Sequence, residues 1–252
     1  MEKSAALYLI PVNISDAPLQ WTIPAEVLKI LPDLHYYIVE NIRTARRFLK
    51  RAHKEIDIDS IRFYELNTHT APEEVASMLE PLLRGENMGL MSEAGCPAVA
   101  DPGSLAVAEA QRRGLKVVPL VGPSSILLSL MGSGFNGQSF CFHGYLPIES
   151  TDKQRKLKEL EQDTLRTGTT HIFIETPYRN NKLLAQMANI LHDSTMICVA
   201  AGLTDPDKES IRTMSALQWR KISYDYGACP AIFLIGRTDT QVRKQSKHKN
   251  RR

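Results

Sequence analysis

Residues 91–104 read MSEAGCPAVADPGS, placing two carboxylates, Glu93 and Asp101, among small residues and prolines directly after an apolar run. Two acids suit a cationic or hydroxylated ligand better than a phosphate. Gly95 and Gly103 permit backbone angles closed to other residues, and Pro97 and Pro102 stiffen the loop. In open α/β sheets, ligands bind outside the carboxyl ends of the strands. This loop falls there, between a strand expected to end near Met91 and a helix expected to open near Ser104. A second loop, VGPSS at 121–125, follows the next apolar run and opens the next helix, with Ser124 or Ser125 placed as cap or ligand donor. Either loop alone is compatible with tight-turn chemistry. Two such loops on consecutive strands point to a site.

The elements that position these loops alternate. Apolar, β-rich runs at 6–12, 35–40, 62–66, 88–93 and 116–121 are separated by helix-like stretches near 41–52, 72–84 and 104–113. This order predicts a parallel α/β sheet. Thr70 before Pro72-Glu73-Glu74 carries a helix-start signal. A polar helix-like run at 152–165 leads into a second set, with strands expected at 171–176, 196–201, 210–214 and 231–236 and a helix over 179–191. Two α/β domains are expected, at 1–146 and 147–237, followed by a tail at 238–252.

Composition sets limits. The 252 residues are 43% hydrophobic and 23% charged, an ordinary globular balance. No apolar run approaches a membrane span, and the opening residues lack the order of a secretory signal, so a cytoplasmic location is expected. Cys96, Cys141, Cys198 and Cys229 stand far apart without a C-x-x-C pair, which argues against a zinc site or disulfide framework and for reduced, buried thiols. GSGFNG at 132–137 matches G-x-G-x-x-G, but it follows a helix-like run instead of a strand and opens no helix. A helix C-cap and an Asn136-Gly137 turn are expected there. The net charge is +3, yet residues 237–252 hold seven Lys/Arg against Asp239, leaving the preceding 236 residues at −3. A disordered basic tail on a mildly acidic body is expected, serving solubility or contacting nucleic acid.

The ordered segments SEAGCPAVADPG, VVPLVGPSS, FCFHGYLP and FIETPYRN, over residues 92–180, resemble the tetrapyrrole methylase family. GYLP and ETPYR are similar to the G-F-L-P and E-S-P-H-R segments of its branch that methylates a cytidine ribose 2′-hydroxyl of small-subunit ribosomal RNA. The resemblance implies two α/β domains with S-adenosylmethionine in the cleft between them, no metal, and a homodimer. It implies a cofactor site of Ser92, Glu93, Ala94 and Gly95, supported by Asp101, with Gly122, Pro123, Ser124 and Ser125 as a second wall and backbone near Leu203 and Ala231 meeting the adenine. VENIR at 39–43 stands where the family has E-D-T-R, which implies that Glu40 and Arg43 point toward the cleft and take part in catalysis. A strand end with a helix-start salt bridge is the plainer alternative for that pair.

The chain also departs from the pattern. IPVNIS at 10–15 lacks the glycine of T-P-I-G-N, and Asn41, Glu93 and Cys96 stand for Asp, Asp and Thr. AGLTD at 201–205 replaces R-E-L-T-K, and YGACP at 226–230 replaces K-G-E. RNA is the expected acceptor. A small-molecule acceptor, or a silent cofactor- or RNA-binding paralogue, is the alternative. If the acceptor is RNA, deleting the residues after Arg237 should weaken RNA binding and flatten its salt dependence, because fewer counterions are released, while S-adenosylmethionine affinity stays unchanged. Filter binding at several salt concentrations checks this, and unchanged slopes would leave the tail a solubility element.

Overall fold

The computed structural model describes residues 5–227 and 229–238. The expected basic tail, apart from Thr238, lies outside the described residues. Chain contacts divide the protein into two units between Ser124 and Ser125. The sequence places the boundary after Leu146, but the helix that opens at Ser125 packs on strands of the second sheet.

The first unit contains strands β1 (Ala6–Leu9), β2 (Tyr36–Val39), β3 (Arg62–Glu65), β4 (Met88–Met91) and β5 (Lys116–Pro119). They form one sheet of order β3-β2-β4-β1-β5, with every pair parallel. The helices are α1 (Ala25–Leu28), α2 (Ile42–Ala52), α3 (Pro72–Met78), α4 (Glu80–Leu83) and α5 (Gly103–Arg112). The single helix expected over 72–84 is thus two, broken at Leu79 before Pro81. Thr70 does not cap it; Ala71 is the cap residue, and the Thr70 hydroxyl accepts from the Asn67 amide. Continuous apolar strands fit a sheet covered on both faces. Tyr37, Val39 and Met91 pack with α2 residues Phe48 and Leu49 on one face, while Ile38, Met88 and Leu90 pack with α5 residues Ala106 and Ala110 on the other. Gly89 makes room for the Tyr37 ring, since a Cβ there would lie 2.6 Å from it. The Tyr37 hydroxyl donates to the Leu31 carbonyl at 3.0 Å.

The second unit contains α6 (Ser125–Ser133), β6 (Phe140–Tyr145), α7 (Ser150–Thr167), β7 (Thr170–Ile174), α8 (Asn180–Ile190), β8 (Met196–Ala201), β9 (Ser210–Ser215), α9 (Ala216–Trp219) and β10 (Ala231–Gly236). Its sheet runs β6-β7-β10-β8-β9. Only β6 and β7 are parallel; β10 is antiparallel to both its neighbours, and β8 to β9. The parallel order expected of the first sheet does not extend to this half. Residues 202–209 are too few for the crossover that a parallel β8–β9 pair would need. Gly134 follows α6 with φ +73°, consistent with the expected C-cap role, and the Asn136 side chain accepts from the Gln138 amide. Of the four thiols only Cys198 is buried; Cys141, on edge strand β6, is exposed, and Cys96 and Cys229 are half-buried.

Trp219 is completely buried in the second core, and its ring N–H donates to the Ile197 carbonyl at 3.0 Å. Trp219→Ala should cost about 3–5 kcal/mol through cavity formation and a freed carbonyl. Leu83→Ala, at an exposed position, should stay within about 0.5 kcal/mol. Urea denaturation followed by circular dichroism measures both.

Candidate functional site

In the first sheet β4 lies between β2 and β1. The connections leaving β1 and β2 run toward the β3 edge, whereas the one leaving β4 runs toward the β5 edge. Neighbouring loops therefore diverge at the carboxyl end of β4, the switch point where α/β sheets open a crevice for ligands. SEAGCPAVADPG emerges there.

Backbone pairing fixes this loop. Gly95 N–H donates to the Val12 carbonyl and Val12 N–H to the Gly95 carbonyl, both at 2.9 Å, joining the turns after β4 and β1. Gly95 adopts φ +77°, and a Cβ there would sit 3.5 Å from Ile14 and from the Pro123 carbonyl, so glycine is required by conformation more than by space. The Cys96 thiol lies 3.4 Å from the Pro123 carbonyl, which ties in the loop after β5. Gly122 serves packing: a Cβ would lie 2.1 Å from Pro11. Pro123 is buried, and Ser124 and Ser125 are half-buried where α6 opens.

Three carboxylates converge. The Glu93 amide donates to Glu40 Oε1 at 3.2 Å, and the Thr44 hydroxyl donates to Glu93 Oε1. Burial pushes the Glu40 carboxyl above its ordinary value; the Glu93 amide opposes this, and the negative Asp101 and Glu93 add to it. Burial also raises Asp101, against the backbone amides of Gly103, Ala98 and Val99. Asp101 Oδ1 accepts from Gly103 N–H at 2.6 Å, whereas its Oδ2 is buried with no hydrogen-bond partner. Ala98 and Ala100 adopt φ +66° and +61°. Left-handed backbone costs a non-glycine residue about 1–2 kcal/mol, and such strain collects at ligand sites.

Ser92 is buried, with its hydroxyl donating to the Ala94 carbonyl, while Glu93 and Ala94 are exposed. Arg43 is exposed and forms no ion pair with Glu40 among the described residues. The helix-start salt bridge is replaced by Asn41, whose side chain accepts from the Arg43 and Thr44 amides. Thr44, Pro11 and Val12 were not legible as site residues, because their contacts come from strand order. Leu203 and Ala231 lie in the second unit. Leu203 is buried, Ala231 pairs with Ala201, and Gly202 N–H donates to the Pro230 carbonyl.

Among the described residues no group of His, Cys, Asp or Glu is arranged to hold a metal ion, and no helix is long and apolar enough to cross a membrane.

No protein-family model matches the chain. It is 31% identical over 198 residues to ribosomal RNA small subunit methyltransferase I of Vibrio cholerae, covering 79% of this chain and 65% of that protein. The Bacillus subtilis protein of the same name is 30% identical over 82% of this chain and 66% of its own length. The chain is a homologue of these enzymes, with the tetrapyrrole methylase fold. It spans about two thirds of the length of these relatives. Solved structures share the fold at low identity: a diphthine synthase (TM-score 0.62, 14% identical, covering 92% of this chain and 90% of that one) and the methyltransferase CobJ (TM-score 0.58, 16%, 93% and 94%).

Raised carboxyl pKa values have a thermodynamic consequence. The native state holds its protons on Glu40 and Asp101 more tightly than the unfolded chain, so each group costs stability as pH rises from its ordinary 4.5 or 3.8 through its native value. Glu40→Gln and Asp101→Asn should raise Tm at pH 7 and lose that advantage near pH 4. Equal differences at both pH values in a scanning thermal melt would contradict the account.

Proposed function

We propose that the protein is an S-adenosylmethionine-dependent methyltransferase whose acceptor is a ribose 2′-hydroxyl of ribosomal RNA. The observation that carries the acceptor is sequence similarity to the small-subunit ribosomal RNA methyltransferases at about 30% identity over most of the chain. The fold alone is shared with a diphthine synthase and a uroporphyrin-III-C-methyltransferase and so does not choose an acceptor.

The first-unit loops fit the cofactor. It is a sulfonium cation with an ammonium group, and the crevice presents Glu93, Glu40 and the buried, unpartnered Asp101 Oδ2. When bound, S-adenosylmethionine supplies a methyl group activated for in-line displacement, a reaction that depends chiefly on holding donor and acceptor in near-attack geometry. Backbone at Ser92–Gly95 and Gly122–Ser125 would hold the cofactor, and Asp101 would accept from its ammonium. Glu40, with its proton affinity raised by burial, would take the proton released by the acceptor hydroxyl on methyl transfer. Arg43, exposed at the start of α2, neutralises acceptor phosphate.

Gly95→Val should abolish cofactor binding, because φ +77° is closed to valine and the Val12 pairing would be lost. Gly134→Ala, at the opposite end of α6 from the second loop, should cost stability at φ +73° yet leave binding intact. Thermal shift with S-adenosylmethionine and transfer of labelled methyl to small-subunit ribosomal RNA test the proposal. No shift at saturating ligand would overturn the cofactor assignment. A shift without transfer to RNA would overturn the acceptor.

A further inference from the structure

β6 and β7 are parallel, with Tyr145 opposite Ile174, so the GYLP and ETPYR segments leave the second sheet at the same end. There the sequence turns from core to a rigid, charged surface. Glu175 is buried; its carboxylate is held by Lys153 Nζ at 3.2 Å, the Thr176 amide at 2.9 Å and Arg179 Nε at 3.2 Å. Arg179 also donates to the Thr176 hydroxyl at 2.8 Å. Two cations and one anion leave this cluster net positive. Its effect is to fix the Arg179 guanidinium, which lies over the Tyr178 ring at 5.4 Å from the centroid.

Tyr178 is nevertheless 76% exposed, and Tyr145 on the sheet edge is 61% exposed. An arginine already oriented over an aromatic ring, with the ring's area left in water, contributes little to folding. Its shape and charge match an unpaired nucleobase, which stacks on aromatic and guanidinium planes irrespective of base identity. Lys182 lies one helical turn beyond Tyr178, is exposed and forms no ion pair among the described residues, so it is free to meet a phosphate. A protein partner would also cover tyrosines, but the excess of fixed positive charge favours a polyanion.

We infer that Tyr178, Arg179 and Tyr145 form a stacking platform for unpaired bases of the RNA acceptor, with Lys182 meeting its backbone. This rests on the RNA acceptor of the proposed function. The platform lies wholly in the second unit and uses none of the residues assigned to cofactor binding or chemistry.

Fluorescence anisotropy with the full chain tests it, using a short unstructured oligoribonucleotide and a fully paired RNA duplex of matching length. Tyr178→Ala should weaken binding of the unpaired RNA about 5- to 100-fold, and Tyr178→Phe should bind within about twofold of wild type, because the ring and not the hydroxyl does the stacking. Lys182→Ala should flatten the slope of log K against log salt by about 0.7. The thermal shift with S-adenosylmethionine should survive in all three, which establishes that they fold. Wild-type binding of the single strand with no loss in Tyr178→Ala, or equal loss with the duplex, would overturn the platform while leaving the RNA acceptor standing. If the wild type binds neither RNA, the acceptor assignment itself fails and the platform with it.

Discussion

The reciprocal backbone pairing of Val12 with Gly95 is the constraint on which the candidate site depends. It locks the turn after β1 to the turn after β4 at the place where the sheet's connections diverge. With that bridge in place, Cys96 meets Pro123, Gly122 seats against Pro11, and three loops become one surface. The pairing needs Gly95 at φ +77°. A side chain at this position would act on the site through backbone geometry, without itself needing to touch a ligand.

The same surface concentrates costs that folding alone does not call for. Glu40 and Asp101 are both held where burial disfavours their charge, Asp101 Oδ2 lacks a partner, and two alanines occupy left-handed backbone. Elsewhere the acids are managed differently: Glu109 is clamped by Arg112 and Arg113, and Glu175 by Lys153 and Arg179. The contrast between these paired acids and the Glu40 and Asp101 carboxyls supports the proposed reading of the crevice as the place that receives a cationic ligand.

The two units also divide the physics. The first builds a sheet buried on both faces whose strand ends present backbone and carboxylates. The second builds a mixed sheet around Trp219, Phe173 and Phe233 and places at one end a cationic cluster with exposed aromatics. Acidic crevice and basic, aromatic surface suit the cationic cofactor and the polyanionic acceptor of the proposed function.

Sequence alone determined the first sheet. Runs such as MGLM are apolar without alternation, the pattern of a strand covered on both faces, and the glycine–proline loops after them fall where α/β sheets take ligands. It also carried the resemblance to the tetrapyrrole methylases, because linked motifs in a fixed order are far more specific than composition. It could not determine that the second sheet is largely antiparallel, since the apolar pattern of a buried strand is the same in either direction and the direction follows from connection length. Nor could it show that Gly122 is small for Pro11, that Asp101 has one oxygen unpartnered, or that Thr44 reaches Glu93. Each of these is a contact between residues distant in the chain, and strand order, which brings them together, is a property of the tertiary structure.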